Sequence, residues 1–457
     1  MVHVLRFLFW PLVLLAVEVC SFVFQLNIWS QLFRWWLESP FQNTLWLVAW
    51  YYAVYYAIYT MRFFYAVLSA RKLVSMKIIL PRSESKLDQE KRTEKDFKEK
   101  IAIMEQLFRA LNEVKELSFW QIIHFWIFRF ITISFELFVE NGLITFYVLV
   151  PKHLVSIIEK QITSFYPNAD VTLKATPEIW QKGYKLVGYN MILKKGYEYP
   201  LRFFDHMQDD PFNDVTNALS KLHTDETATV QVVLTPTFSE RWAKKVRAKA
   251  NASFKGKKES VFDHIPGLRF VGTVINMLSS GDAAQNFAPG ASKGDSFVRM
   301  IQPEEELYKR MGEKAGLSGF HCSVRIMAAS KTWERANDIA NNLQVSFNVF
   351  KDMYGNYFKN RRMWVDFLPL WINQYCIYPL WRDRINGFAH RRNLLVEKEL
   401  ASIFHFPDSR YNTISNIDWV QCKVLPPPPN APTEGIVLGI NRYRAVETTI
   451  RDRKSVV

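Results

Sequence analysis

Cysteine is scarce in this sequence, and the four that occur in 457 residues lie far apart, with no CxxC pair. Their spacing excludes a disulfide framework and a cysteine-rich zinc site, and it favours a reducing compartment. The sequence also lacks the GxxxxGKS/T phosphate loop, HExxH, an EF-hand loop and GxSxG. The nine histidines are scattered. We therefore expect no catalytic residue, cofactor or metal site in these 457 residues, and no enzymatic activity from them alone.

Acidic residues are outnumbered by basic ones, 44 against 58, which gives a formal net charge of +14. Hydrophobic residues make up 49% of the chain, and this fraction excludes wholesale disorder. A mean hydropathy of −0.09 leaves room for few membrane helices, which excludes a transporter with many spans. At roughly 100–200 residues per domain, the length supports two or three folded units.

Two long apolar runs, Val4–Leu26 and Thr44–Ala70, each exceed the roughly 20 residues that cross a bilayer. Lysine and arginine follow the second run at positions 71, 72, 77 and 82, and an excess of these residues marks the cytoplasmic side. We therefore predict a two-helix hairpin in the lipid bilayer, in a multi-pass protein of the cell (inner) membrane whose bulk is cytoplasmic. Glu18 and Arg62 lie within the runs; they either have a function there or pair with each other, or Arg62 snorkels.

After the second run, strand patterns alternate with helix patterns. Asn141 and Gly142 separate two runs of β formers, which predicts a tight hairpin, and a helix pattern follows the second run. The same order recurs at Ala228–Leu234 and at Phe320–Met327, each of which precedes a helix pattern. Three such units predict an α+β fold, with repeated strand–helix (ferredoxin-like) units that pack helices on an antiparallel sheet.

Composition divides the chain into five segments. Four consecutive prolines at 426–429 predict a rigid extended linker, and alternating β formers after it predict strands that open another domain. We assign residues 1–72 to the membrane hairpin, 73–133 to a linker with an amphipathic helix and an interfacial apolar segment, 134–362 to the cytoplasmic α+β domain, 363–425 to an apolar helical connector, and 426–457 to the proline linker and the start of a truncated motor domain.

One acidic cluster, in the run FFDHMQDDPFND, carries groups suited to metal binding or acid–base chemistry. Its members are Asp205, His206, Asp209 and Asp210. The structural alternative is that Asp210 caps a helix whose first position is Pro211, since aspartate and proline both favour helix starts. We prefer the capping interpretation, and a membrane enzyme built on this cluster is the least favoured function.

A basic run, Arg241–Lys258, contains eight cationic side chains and no acidic one. Such a patch can neutralise DNA phosphates or anionic lipid headgroups, and a solvated helix face is the alternative. The candidate contact residues are Arg241, Lys244, Lys245, Arg247, Lys249, Lys255, Lys257 and Lys258.

Seven segments, taken in order, carry a resemblance to a known family. They are MEQLFRAL, ITFYVLVPKHLVSIIEKQITSFYPNADV, DDPFNDVTNALSKL, TATVQVVLTP, ERANDIANNL, ELASIFHFP and VLPPPPNAPTEGIVLGINRYR. From about Leu73 to Arg453 the chain resembles the bacterial membrane-anchored ATPases of conjugation and type IV secretion, coupling-protein-like relatives of the hexameric DNA pumps. In that family an uncharacterised domain lies between the membrane helices and a P-loop motor, and Gly435–Arg444 matches the strand that leads into the motor.

The resemblance implies a membrane-tethered, non-catalytic N-terminal part of a translocation ATPase, which positions the motor and its partners. It implies secretion-system proteins or a second copy of the chain as partners, with DNA as a further contact. ATP would be used only through a motor that we expect to be encoded beyond Val457. The alternative function is an independent membrane scaffold or interaction protein with no motor.

Overall fold

The computed structural model describes residues 40–70, 72–82, 94–113, 132–166, 169–237, 240–254, 302–361, 369–385, 393–412, 414, 416–420, 427, 430–443 and 446–452. A ten-stranded sheet takes strands from positions 73 to 420, and residues 436–452 form a separate two-stranded sheet. The basic residues Lys255, Lys257 and Lys258 and the apolar run Val4–Leu26 lie outside the described residues.

The described residues form these elements in chain order: α1 Pro40–Ala70, β1 Leu73–Pro81, α2 Glu94–Glu113, β2 Ile133–Glu140, β3 Leu143–Pro151, α3 Val155–Phe165, β4 Asp170–Leu173, β5 Lys185–Leu193, α4 Phe212–Ser220, β6 Thr227–Pro236, α5 Arg241–Phe254, α6 Gln302–Lys314, β7 Gly319–Ser330, α7 Trp333–Ser346, β8 Phe358–Arg361, α8 Leu370–Arg382, β9 Leu394–Val396, α9 Glu397–Ile403, β10 Trp419–Val420, β11 Ile436–Tyr443 and β12 Val446–Asp452. Short 3-10 helices cover Lys152–Leu154, Phe204–His206 and Phe347–Phe350.

The large sheet has the strand order β10-β1-β3-β2-β6-β7-β5-β8, with β4 also beside β1 and β9 beside β7. Its neighbours are antiparallel except for the short parallel pair β1–β10. The units β3–α3–β4 and β7–α7–β8 each join two parallel strands with one strand between them. By contrast, β6 and β7 are adjacent and antiparallel, and the described residues of their connection include the helices α5 and α6.

The predicted hairpin at Asn141 and Gly142 is confirmed. Both residues have positive φ angles, 53° and 76°, and β2 pairs with β3 from Glu140↔Leu143 onward. A two-residue turn of this kind requires left-handed backbone, which glycine adopts freely and asparagine tolerates. Local turn chemistry therefore sets the register of the two central strands.

The main core lies on one face of the sheet, beneath α2, α3, α4, α7 and α9. In α2 the apolar residues Phe97, Ile101, Met104 and Phe108 recur at helical spacing, and all four are buried in this core. Phe108 packs edge-to-face against Phe135 of β2, with ring centroids 5.2 Å apart. The amphipathic stripe of α2 is thus a core face.

The opposite face of the sheet is partly covered by α8. Ile377 and Trp381 of this helix are buried against Phe138 of β2 and Leu186 of β5. Part of the apolar connector predicted at 363–425 therefore packs onto the sheet through a helix.

A row of polar side chains runs under α8 across four neighbouring strands. Glu136, Gln231, Arg325 and Asn190 are direct cross-strand partners, so they share one face of the sheet. Gln231 Nε2 donates to Glu136 Oε1 (2.9 Å), and Arg325 Nη1 donates to Gln231 Oε1 (2.7 Å). Burial lowers the pKa of Arg325 to about 9. Arg384, after α8, closes the row with two bonds to Glu136 (2.9 and 3.1 Å).

The predicted membrane hairpin is wrong. Its second run forms α1, a helix of 31 residues, but no helix in the described part of the chain is both long and apolar enough to cross a membrane. The physical reason is the composition of α1. This helix contains six tyrosines, and their hydroxyl groups make its mean hydropathy lower than that of a helix with only aliphatic and phenylalanine side chains. A prediction based on the length and aromatic content of this segment therefore overestimates how apolar it is.

Candidate nucleic-acid interface

Two loops meet at the edge of the large sheet where β5 ends and β8 begins. Residues 194–200 follow β5, residues 351–357 precede β8, and Leu193 pairs with Phe358 between the strands. Beyond this pair, the Lys194 N–H donates to Tyr357 O (3.0 Å) and continues the ladder into the loops. The sheet therefore fixes the base of both loops.

The buried side chain of Asn356 joins the two loops. Its Nδ2 donates to the carbonyl oxygens of Lys195 (3.3 Å), Gly196 (3.0 Å) and Tyr199 (3.3 Å). Its Oδ1 accepts the Lys195 N–H (2.9 Å), and its own N–H donates to Pro200 O (2.8 Å). One amide thus satisfies several backbone groups of a loop that it reaches from 161 positions away.

Gly355 lets the loops approach each other this closely. A Cβ at this position would lie 2.4 Å from Pro200 O and 2.6 Å from Asp352 Oδ2, so only glycine fits. Asp352 is itself buried and pairs with Arg310 of α6 (2.5 Å), which attaches the second loop to that helix. The two loops and α6 therefore form one preorganised corner.

Lysine side chains lie over tyrosine rings at this corner. Lys249 Nζ and Lys195 Nζ are 4.8 and 5.4 Å from the centroid of Tyr199. Similar pairs join Lys245 with Tyr197 (5.2 Å) and Lys351 with Tyr357 (5.4 Å). Such cation–π contacts hold the ammonium groups in place without neutralising them. We call this set the lysine–tyrosine surface: Lys195, Lys245, Lys249, Lys351, Tyr197, Tyr199, Tyr354 and Tyr357.

The charge of this surface is positive because the acidic groups of the two loops are buried and paired. Glu198 accepts a 2.6 Å hydrogen bond from Lys245, while Asp352 pairs with Arg310. Burial opposes ionisation of Glu198, but the bond from Lys245 holds the pKa of this carboxyl below its usual value. Lys194, Lys195, Lys351 and Lys359 are exposed at the same corner.

Helix α5 contributes Lys245 and Lys249 to the surface. Its apolar residues Trp242, Val246 and Ala250 follow i, i+4, i+8 spacing and pack against α6 in a small separate core. Lys245 and Lys249 are also four residues apart, so they lie on a neighbouring stripe of the helix, directed at the tyrosines. The packing of α5 on α6 therefore decides where its lysines point.

Residues 90–419, more than two thirds of the chain, match a protein family described as a domain of unknown function, DUF8128. The chain belongs to this family. A comparison with curated proteins finds no match. The matched DUF8128 region contains both loops of the lysine–tyrosine surface, together with α5 and α6.

The DUF8128 domain separates the predicted basic residues of α5 into distinct environments. Lys245 and Lys249 join the lysine–tyrosine surface, whereas Arg241 and Lys244 are exposed on other parts of the helix. Arg247 Nη2 donates to Ala315 O (2.9 Å) and so fastens α5 to the end of α6. The five described residues of the eight therefore do not share one environment.

The predicted acidic cluster is likewise divided within the DUF8128 domain. Asp210 Oδ1 accepts the Phe212 N–H at the start of α4 (2.8 Å), which supports the capping interpretation, and it also lies 2.9 Å from His405 Nε2. Asp205 instead pairs with Lys398 (2.9 Å). In the described part of the chain, no group of three His, Cys, Asp or Glu side chains could hold a metal ion.

Replacing Asn356 with alanine should loosen the lysine–tyrosine surface while leaving the sheet intact. The change removes the acceptor for Lys195 N–H and the donor for three carbonyl oxygens, so both loops lose their shared anchor. We expect faster amide exchange at Lys195 and Tyr357, with exchange in β6 and β7 unchanged. Replacement of Asn360, a half-buried asparagine in β8, is the matched control, and equal protection of both loops in wild type and Asn356→Ala would contradict the assignment.

Proposed function

We propose that this DUF8128 domain binds single-stranded DNA on the lysine–tyrosine surface, as the non-catalytic DNA-holding part of a conjugation-type translocation machine. The observation that carries the proposal is the set of lysines held over tyrosine rings at one preorganised corner of the sheet. Proteins that bind single strands combine cations along the phosphate backbone with aromatic faces on which bases stack.

The tip of the second loop supports a single strand over a duplex. Met353 is 79% exposed and Tyr354 is 45% exposed. The backbone carbonyl oxygen of Tyr354 accepts a hydrogen bond from Lys195 Nζ (2.8 Å), which places this lysine beside the loop tip. A projecting aromatic ring gives an unpaired base a face to stack on, whereas paired bases in a duplex already stack on each other. The resemblance to DNA-pumping ATPases supports DNA as the strand.

Salt dependence tests the phosphate contacts. Changing Lys195, Lys249 and Lys351 together to glutamine should lower the affinity for labelled dT20 and flatten the log–log salt slope by about 2, at about 0.7 per lost contact. Fluorescence anisotropy over roughly 50–300 mM salt measures both the affinity and the slope. Lys245 is left unchanged because it neutralises the buried Glu198.

The matched control changes three exposed lysines elsewhere, Lys152, Lys160 and Lys221, to glutamine. It alters the net charge by the same amount, so the salt slope should stay near that of the wild type. Tyr354→Ala should weaken dT20 binding about fivefold or more, and duplex binding much less. Equal slopes for the two triple variants would contradict the proposed function.

A further inference from the structure

A second candidate site lies at the other end of the large sheet, on the face that carries α8. This helix covers β5 and the neighbouring strands, but a cleft of about 650 Å³ remains over β1 and β3. Leu73 and Ser75 of β1 and Leu149 of β3 line it on the sheet side. The turn after α8 forms one wall, and residues 173–176 form the other. The lysine–tyrosine surface is at the opposite edge, next to β8.

One part of the cleft is apolar. Leu73, Leu149, Leu173 and Ala175 line it, and Leu173 is 63% exposed although it sits in a strand. An apolar body placed against these side chains would remove their carbons from water, and burial of this kind favours binding at about 25 cal/mol per Å². The lining therefore suits a ligand with a hydrocarbon portion.

The other part of the cleft is basic. Lys174, Arg382 and Arg384 line it, against a single acidic side chain, Asp383. Arg382 uses Nε and Nη2 to bond Asp383 (3.1 and 3.3 Å), and its Nη1 has no partner among the described residues. Arg384 is held rigidly by Glu136 and by Thr176 Oγ1 (3.0 Å), with a left-handed backbone at φ 44°. Fixed guanidinium groups beside a lysine suit an anion.

A buried hydroxyl supplies an independent sign of a ligand. Ser75 Oγ, on the sheet side of the cleft, is shielded from solvent and has no hydrogen-bond partner among the described residues. A polar atom left in this state costs free energy, so the hydroxyl has a hydrogen bond to offer to a water molecule or a ligand in the cleft.

We propose that this cleft binds an amphiphilic anion: a molecule with one phosphate or carboxylate group on a short hydrocarbon body. The anionic group lies between Lys174 and Arg382, where rotation of the Ser75 side chain towards the cleft would let its hydroxyl donate to the anion, while the hydrocarbon packs on Leu73, Leu149 and Leu173. This site is separate from the lysine–tyrosine surface, and the proposal does not depend on DNA binding there.

Isothermal titration of the full chain with octyl phosphate tests the proposal. Inorganic phosphate and octanol, titrated in parallel, distinguish a free anion and a simple hydrophobic contact from an amphiphile. Lys174→Gln and Arg382→Gln should each weaken octyl phosphate binding roughly tenfold, since each removes a charged hydrogen bond. Lys182→Gln, an exposed lysine in the loop before β5, is the matched control and should bind as the wild type does.

The titrations either support or overturn the amphiphile site. Tight octyl phosphate binding that Lys174→Gln and Leu173→Asn both weaken supports the site, and Lys174 and Leu173 are exposed enough for both variants to fold. Inorganic phosphate binding as tightly as octyl phosphate would overturn the hydrocarbon half of the proposal. Octyl phosphate binding that neither variant changes, or no binding at all, would overturn the site.

Discussion

Replacing Glu136 with alanine should destabilise the domain by about 3–5 kcal/mol, because it leaves buried cationic and amide groups without their acceptor. Glu136 is fully buried and accepts bonds from Ser134, Gln231 and Arg384. Arg325 is buried in the same row, and its positive charge is also offset by this carboxylate. Since domains are stable by about 5–15 kcal/mol in total, a loss of this size is a large share.

Urea unfolding followed by circular dichroism measures the effect. Glu136→Gln keeps an oxygen acceptor but removes the charge, so a smaller loss of about 1.5–3 kcal/mol is expected. Glu140→Ala, at the exposed end of the same strand, should change the free energy of unfolding by less than about 0.5 kcal/mol. A Glu136→Ala protein whose free energy of unfolding lies within about 1 kcal/mol of the wild-type value would show that the row contributes little.

The polar row illustrates what the sequence could not show. Glu136, Gln231 and Arg325 are separated by 95 and 94 positions, and only the register of three strands brings them together. In the sequence, each of these residues is only a polar position within a strand pattern. The alternation of side chains along one strand does not depend on which strand lies beside it, so it does not identify the partner. Cross-strand pairing is a tertiary property, so residue patterns within one strand carry no information on it.

Local chemistry was more informative. The Asn141-Gly142 turn and the amphipathic helix α2 follow from short-range rules on turn residues and periodicity. The same rules failed for α1, where a long run of aromatic residues was treated as a membrane span. Aromatic residues raise apparent hydrophobicity, but their polar edges lower transfer energies, so run length alone is not decisive.

The candidate interface was found in part. The basic run of α5 directed attention to Lys245 and Lys249, which do lie on the lysine–tyrosine surface. Lys195 and the tyrosines beside it were missed, although KKGYEYP at 194–200 places two lysines directly before two tyrosines and is a recognisable signal. The contribution of Lys351 could not be predicted from the sequence, because Asn356 attaches its loop to residues more than 150 positions away.

Replacing Lys314 with methionine should destabilise the domain by about 3–5 kcal/mol, since it leaves Glu399 as an unpaired buried charge. Both side chains are fully buried, and Lys314 Nζ donates to Glu399 Oε1 at 2.8 Å. Glu399 also accepts the N–H groups of Leu201 (2.8 Å) and Val396 (3.0 Å), so it fixes the start of α9 as well as the end of α6. Two helices therefore depend on one ion pair.

The double variant Lys314→Met with Glu399→Gln separates the two causes. If the unpaired carboxylate is responsible, removing its charge should recover about 1–3 kcal/mol relative to Lys314→Met alone. Lys309→Met on the same helix is the matched control: Lys309 and its partner Glu305 are both exposed, so this change should leave the free energy of unfolding close to that of the wild type. Chemical denaturation of all four proteins gives the comparison. A double variant less stable than Lys314→Met would show that the hydrogen bonds of Glu399 to the backbone, and not its pairing with Lys314, dominate at this position.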